Sequence, residues 1–241
     1  MIHDTAFRGF SRSADAYERG RPGYPDAAVA LFASHLPAGA TVLDLAAGTG
    51  KLTRPLLAAG LEVIAVEPVA EMRSALPPSV RALEGTAEAI PLAAGELDGV
   101  AVGQAFHWFD GDAALPEIHR VLRPEGLLAL LWNTRDENDP VNRAIDELLA
   151  PYRRGTPSQR GRDWRAAFDR TTLFAPLEER EFPSEQRLDA DGMEARVGSI
   201  SFIAALDPPE RARVAQRARA IAGEGTAAVA YRTEVLIWRR T

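Results

Sequence analysis

Residues 41–53 read TVLDLAAGTGKLT. Thr41 to Leu45 form a short aliphatic run of the kind that fills a strand covered on both faces. Five small residues follow, Ala46 to Gly50, and then LTRPLLAAG has a helical pattern. A turn of small residues between a strand and a helix lets a ligand approach the backbone closely. One acid, Asp44, stands just inside the strand end, where ligands bind in open α/β sheets.

Three ligand patterns use such a turn. A phosphate loop requires Gly, four residues, then Gly-Lys-Ser/Thr. Gly50-Lys51 is present, but Leu occupies positions 45 and 52. A dinucleotide turn requires Gly-x-Gly-x-x-Gly. Gly48 and Gly50 fit it, but residue 53 is Thr. The third pattern is acidic-x-Gly-x-Gly-x-Gly. Asp44, Gly48 and Gly50 hold its first, fifth and seventh places, and Ala46 replaces its first Gly. Ordinary backbone dihedrals at 46 would allow that change. On these residues the stretch resembles motif I of the Rossmann-like (class I) S-adenosylmethionine-dependent methyltransferases.

A second acid supports the resemblance. VIAVEP ends in Glu67 and Pro68, and Glu67 lies 23 residues after Asp44. An acid at the end of the second strand takes the ribose hydroxyls, which suits S-adenosylmethionine or NAD. The incomplete dinucleotide glycines favour the former. The resemblance implies that LEGTAEAIPL (83–92) holds adenine through Thr86, Ala87 and Glu88. It places Gln104 and Ala105 along the methionine end, and His107 and Trp108 toward the acceptor. Histidine titrates near neutrality, so His107 is the candidate general base. QAFHWFD (104–110) and YERGRPGYP (17–25) resemble the type 11 group, and within it the trans-aconitate-like subset. By that resemblance Arg21 and Tyr24 would fold over the cofactor.

The rhythm of the chain agrees with a doubly wound α/β sandwich. Strand candidates at 41–45, 62–67, 80–85, 97–103 and 126–133 alternate with helical stretches at 51–60, 69–76 and 112–126. Helical stretches near 11–19 and 25–36 precede them. Further on, 140–152 reads as a helix broken by Pro151, 178–189 as an edge segment because Pro183 cannot donate, and 229–240 as a closing strand. The expectation is a seven-stranded, mostly parallel sheet with one antiparallel edge strand and a helical cap. A single methyltransferase domain would comprise a lid (1–36), a cofactor core (37–133), a variable cap and edge-strand region (134–225) and the closing strand (226–241).

Composition narrows the function classes. Net charge is −6, and residues 1–130 account for it with 16 acids against 10 bases. No basic stripe suits nucleic acid. One Arg-rich stretch, 151–172, reads either as a solvated face or as a wall for an anionic substrate. No apolar run is long enough to span a bilayer, and no signal-peptide pattern opens the chain. Cys is absent, which removes thiolate chemistry and fits a cytoplasmic setting. No metal-ligand spacing occurs. The expected partner is a small-molecule methyl acceptor, a carboxylate or a hydroxyl. A non-catalytic cofactor-binding module, a macromolecule-directed methyltransferase and an NAD-dependent oxidoreductase are the competing readings.

Overall fold

The computed structural model describes residues 20–153 and 164–241. The expected helix near 11–19, Tyr17 and the centre of the Arg-rich stretch lie outside these residues. In chain order the elements are α1 (Asp26–Ser34), β1 (Thr41–Leu45), α2 (Thr53–Ala58), β2 (Glu62–Val66), α3 (Ala70–Arg73), β3 (Arg81–Leu83) and β4 (Leu97–Gly103). They continue with α4 (Gly111–Val121), β5 (Leu122–Arg135), α5 (Pro140–Leu149), α6 (Arg165–Asp169), β6 (Phe174–Leu188), α7 (Ala190–Gly198), α8 (Ser201–Ala204), α9 (Pro208–Ala222) and β7 (Ala227–Arg240).

The seven strands form one sheet in the order β3-β2-β1-β4-β5-β7-β6. β7 alone runs antiparallel, pairing with β5 on one side and β6 on the other. The β7–β6 pair therefore forms one edge of the sheet, with the Pro-containing β6 outermost, where Pro176 and Pro183 interrupt few ladder bonds.

Strand residues alternate between two apolar layers, as the two-residue pleat requires. Leu43, Leu45, Ile64, Val66, Val100 and Val102 face one layer, which α4 completes with Leu115 and Ile118. Val42, Val63, Ala101, Ala129 and Leu131 face the other, which Phe32 of α1 and Leu56 of α2 complete. Burying one such side chain fully contributes about 1.5–3 kcal/mol. α6 joins the first layer: Phe168 stacks on Trp238 with ring centroids 4.2 Å apart.

Aspartates start four helices. Asp110, Asp139, Asp189 and Asp207 each accept a backbone N–H of the first turn, with Pro following Asp139 and Asp207. Several boundaries differ from the sequence expectation: β6 starts at Phe174 rather than 178, the helices expected at 51–60 and 69–76 shrink to Thr53–Ala58 and Ala70–Arg73, and the junction of α4 and β5 moves. α4 stops at Val121 rather than running to 126, because Leu122 already pairs with Leu97 across β4 and β5. The chain then bulges through Glu125 at φ +64° before the regular ladder resumes.

α5, α7 and α9 bury a third apolar cluster of their own. Ile145, Leu148, Met193, Val197, Val214 and Ala218 pack there with Val229 and Tyr231 of β7. β5 and β6 end, and β7 begins, at this side of the sheet. The helical cluster thus stands over the carboxyl ends of the parallel strands.

Candidate functional site

The turn after β1 opens the site. The Ala47 N–H donates to Val66 O at 3.1 Å and the Gly50 N–H to Ala47 O at 3.0 Å, which folds the turn back on β2. Gly48 has φ +57°, a conformation other residues adopt only with strain. A Cβ built there would meet nothing within 4 Å, so the turn offers bare backbone to open space. Ala46 has φ +59°. The ordinary dihedrals expected for it are absent, and the missing first Gly of the motif is a left-handed position occupied by a residue with a side chain.

Two chambers meet at this turn, sharing Ala46, Gly48, Gly103 and Gln104. The first encloses about 780 Å³ including its open mouth. Glu67, Pro68, Thr86, Ala87, Glu88, Ala105 and Trp108 line it, with Val69, Met72 and Phe109 giving apolar walls. Among the described residues its acids are Glu67 and Glu88, and no Arg or Lys lines it. The second encloses about 600 Å³ and is bounded by Asp44, Thr49, Arg21, Tyr24, Lys51 and residues from the distant part of the chain, Asn133, Arg196 and Tyr231.

Glu67 is 4% exposed and grips two turns at once. Oε2 accepts the Gly48 N–H at 2.8 Å and Oε1 the Val69 N–H at 2.9 Å. Burial pushes its carboxyl up, against the pull of those N–H donors and of Arg73. Each oxygen keeps a further lone pair for a ligand hydroxyl. Asp44 is 1% exposed and accepts the Thr53 hydroxyl at 2.6 Å. Burial raises its pKa to about 7; the Thr53 bond opposes the rise and the neighbouring Glu67 charge adds to it. Thr53, the residue that breaks the dinucleotide pattern, therefore holds the motif's acid in place.

The loop after β4 supplies the wall between the chambers. Gln104 also has positive φ, +59°. Its Nε2 donates to Asn133 O at 2.9 Å and its N–H to Leu131 O at 3.0 Å, fixing it to β5. Asn133 Nδ2 reaches Gly23 O at 2.9 Å, so the segment 20–25 is tied over the same strand end. Tyr24 closes on Gly103 so tightly that a Cβ there would lie 2.4 Å from its hydroxyl. Arg21 Nη2 donates to Ser199 O at 2.8 Å, and Gly20 packs on Ala195, joining the segment to α7. Glu88 Oε1 accepts the Asp110 N–H at 3.1 Å, which ties the loop after β3 to the start of α4.

His107 lines neither chamber. Its ring lies 4.6 Å from Trp108 and 5.5 Å from Trp132, centroid to centroid. Burial, with the Arg21 charge, lowers its pKa to about 4. The near-neutral titration on which a base role was expected is thus absent, and the ring is neutral at pH 7. Nδ1 is buried with no hydrogen-bond partner among the described residues.

Within the Arg-rich stretch, Arg153 pairs with Asp146, Arg165 with Glu179 and Glu234, and Arg170 with Asp112. These three carry their own counter-ions. Among the described residues no group of acids and histidines could hold a metal, and no helix is long and apolar enough to cross a membrane. Asn133, Arg196 and Tyr231 reach the second chamber without any sequence motif marking them, and Lys51 joins them from the end of the Gly-rich turn.

Comparisons with known proteins bear on the family and the fold. A family model described as a methyltransferase domain matches residues 43–130. An uncharacterized methyltransferase of Mycobacterium tuberculosis is 49% identical over 173 residues, covering 70% of this chain and 65% of the relative. The chain thus spans just under two thirds of the length of that relative. An uncharacterized methyltransferase-like protein of Schizosaccharomyces pombe is 34% identical over 220 residues, 89% of this chain and 86% of the relative. A solved structure of a candidate type II methyltransferase from Anaeromyxobacter dehalogenans superposes with TM-score 0.68 at 25% identity, over 91% of this chain and 97% of that one. By sequence over most of its length and by fold, the chain belongs to the methyltransferase-domain family.

Proposed function

We propose that the protein transfers a methyl group from S-adenosylmethionine to a small-molecule acceptor, a carboxylate or a hydroxyl. The observation that carries the reading is the pairing of the two chambers across the Gly48 turn. Among the described residues the first has two acids and no cation, which suits a nucleoside and disfavours a pyrophosphate. The second sets Asp44 against cations, which suits the zwitterionic end of an amino acid. S-adenosylmethionine has both parts.

In this reading Glu67 holds the ribose diol, with Pro68 beside it. Thr86, Ala87 and Glu88 hold adenine against Met72 and Phe109. Asp44 takes the ammonium group, and the exposed backbone at Ala46, Gly48 and Gly50 leaves room for the methionine chain. Gln104 and Ala105 stand at the junction of the chambers, beside the reacting centre. Arg21 and Tyr24 close the site, and closure excludes water from a reactive sulfonium.

When bound, S-adenosylmethionine would supply an electrophilic methyl; an acceptor oxygen would attack that carbon in line, forming the O–C bond as the C–S bond breaks and the neutral thioether leaves. The chain's task is alignment rather than acid catalysis. Trp108 fits a role at the acceptor side, where an aromatic face also attracts a sulfonium. His107, neutral and packed between Trp108 and Trp132, positions that loop. A carboxylate acceptor needs no base, which accords with the low pKa of His107. The trans-aconitate-like subset rests on QAFHWFD and YERGRPGYP alone. A macromolecular acceptor is disfavoured because the 20–25 segment and the cap cover the strand ends.

Isothermal titration tests the cofactor first, with S-adenosylhomocysteine and NAD as separate ligands. Saturable binding of the former alone is expected, followed by methylated product in a screen of carboxylates and hydroxyl compounds. NAD binding, or no nucleoside binding, would overturn the reading.

A further inference from the structure

The second chamber contains a buried cation outside every motif. Arg196 belongs to α7, within the cap, yet it lines the chamber opposite the Asp44 turn. It is 7% exposed. Its Nε donates to the Tyr231 hydroxyl at 2.8 Å, and that hydroxyl donates to Gln186 Oε1 at 3.3 Å. The guanidinium carbon lies 5.9 Å from the Tyr231 ring centroid. β6 and β7 therefore hold the guanidinium in one orientation.

Nη1 of Arg196 is buried and has no hydrogen-bond partner, and among the described residues no carboxylate pairs with this side chain. Other shielded arginines differ. Arg165 meets Glu234 and Arg135 meets Asp146. A guanidinium stays charged at any pH where proteins fold, and burying it without an anion is costly. Its fixed fork is shaped for a carboxylate. The site is built for an anion that the described residues do not provide.

The layout of the chambers identifies that anion. With adenosine in the first chamber, the amino-acid end of the cofactor crosses the shared Ala46–Gly48 edge into the second. That end carries one ammonium and one carboxylate. Asp44 matches the ammonium. We infer that Arg196 is the ligand of the cofactor's α-carboxylate, so that the cap itself grips the cofactor. This assignment rests on the cofactor placement proposed above.

Two consequences follow from where Arg196 sits. α7 also carries the contacts to the 20–25 segment, Gly20 on Ala195 and Arg21 on Ser199 O. Ligation of the carboxylate therefore ties cap, lid segment and cofactor into one unit. It also makes the site select nucleosides that carry an α-carboxylate over those that lack it.

The test compares S-adenosylhomocysteine with its decarboxylated analogue, S-adenosyl-3-thiopropylamine, by isothermal titration on wild type, R196Q and R196K. The analogue keeps the amine and lacks only the carboxylate. Wild type should prefer S-adenosylhomocysteine by about tenfold or more, the scale of a charge-assisted pair. R196Q should shrink the preference to within about twofold, by weakening S-adenosylhomocysteine alone. R196K keeps the charge but loses the fork, and should lose at least about threefold of the preference. An unchanged preference in R196Q overturns the inference and moves the carboxylate to Arg21 or Lys51. Equal weakening of both ligands also overturns it, since that is a damaged site rather than a lost carboxylate contact. If circular dichroism shows R196Q unfolded, R196K decides by the same ratio, and an unchanged ratio there overturns the inference. Wild type that binds neither ligand overturns the cofactor placement itself, a result distinct from failure of Arg196 alone.

Discussion

The two chambers differ in how the chain builds them. The first draws its walls from residues 45–109, in turns that follow β1 to β4 one after another. The second gathers Arg21, Lys51, Asn133, Arg196 and Tyr231 from segments scattered along the chain. Short turns have local rules, because a left-handed residue or a strand-end acid is set by its immediate neighbours. A chamber wall assembled from a lid segment, a cap helix and an antiparallel strand has no local rule. The first chamber is therefore written in motifs, and the far wall of the second is written in tertiary packing.

The largest expected effect tests the motif-built chamber. Glu67→Gln keeps the size of the side chain and removes its charge. It should weaken S-adenosylhomocysteine about 30- to 100-fold, since hydrogen bonds to a charged acceptor are each worth about 1.5–3 kcal/mol. Isothermal titration reads the loss, and circular dichroism checks that the Gly48 and Val69 turns persist. A change under threefold would show that the first chamber does not hold the ribose, and the contrast between the chambers would fall.

Residue by residue, the sequence marked most of the first chamber, and of the second the Gly48 turn with Asp44, Gln104 and the 20–25 segment but not the walls from Asn133, Arg196 and Tyr231. Asp44, Gly48 and Glu67 stand where strand-end chemistry put them, because β1 and β2 are short, apolar and bounded by small residues or Pro. The strands to β5 were legible for the same reason, although β5 begins four residues before Gly126 because Leu122 pairs with Leu97. Ala46 looked harmless only because φ cannot be read from one letter. Arg196 carried no signal at all. It is one arginine in a helix of weak amphipathicity, and its meaning comes from Tyr231 and Gln186 on strands that reach it only after folding. The α7 and α8 helices were also unreadable, since 190–204 mixes small, charged and apolar residues without a clean period.

Asp44 lines the second chamber beside the shared Gly48 turn, and pH sharpens its role. An ammonium ligand needs the ionised carboxylate. With a pKa of about 7 in the free protein, the ionised fraction rises about tenfold from pH 6 to pH 8. S-adenosylhomocysteine affinity in wild type should rise by a comparable factor, and Asp44→Asn should be both weaker and flat over that range. The stability sign is opposite. The folded pKa lies above the unfolded value of 3.8, so the folded state binds more protons between them. Its contribution falls as pH rises from near 4 to 7, and the penalty is complete above 7. Asp44→Asn should therefore melt higher than wild type at pH 8, by a shift on the order of 2 kcal/mol. A binding profile with the same slope in both proteins would remove Asp44 from the ammonium site.

His107 tests the wall beside the chambers through acid stability. Its pKa of about 4 lies below the ordinary 6.5. The unfolded chain then binds the extra proton between those values, so stability is whole above pH 6.5 and declines as pH falls toward 4. His107→Phe keeps the ring against Trp108 and Trp132 and removes the titration. The variant should gain about 1 kcal/mol over wild type in urea melts at pH 4.5 relative to pH 7.5, with S-adenosylhomocysteine affinity at pH 7.5 within about twofold. Equal pH dependence in the two proteins would mean that His107 is solvated and free to act as a base.

The smallest effect concerns the one place where the motif-built chamber departs from its own rule. Ala46 holds φ +59° at the shared edge of the chambers. A left-handed residue with a Cβ costs about 1–2 kcal/mol, while Gly loses about 0.5–1 kcal/mol more than Ala in chain entropy on folding. The difference leaves Ala46→Gly more stable by about 0.5–1 kcal/mol, a rise of about 1–4 °C in Tm for a domain of this size. Affinity for S-adenosylhomocysteine should change by less than about threefold, because the backbone already has the bound shape. A fall in Tm would show that the Ala46 methyl packs more favourably than its dihedral costs. A large gain in affinity would show that the methyl crowds the ligand, and that Ala46 limits how closely the junction of the two chambers closes on it.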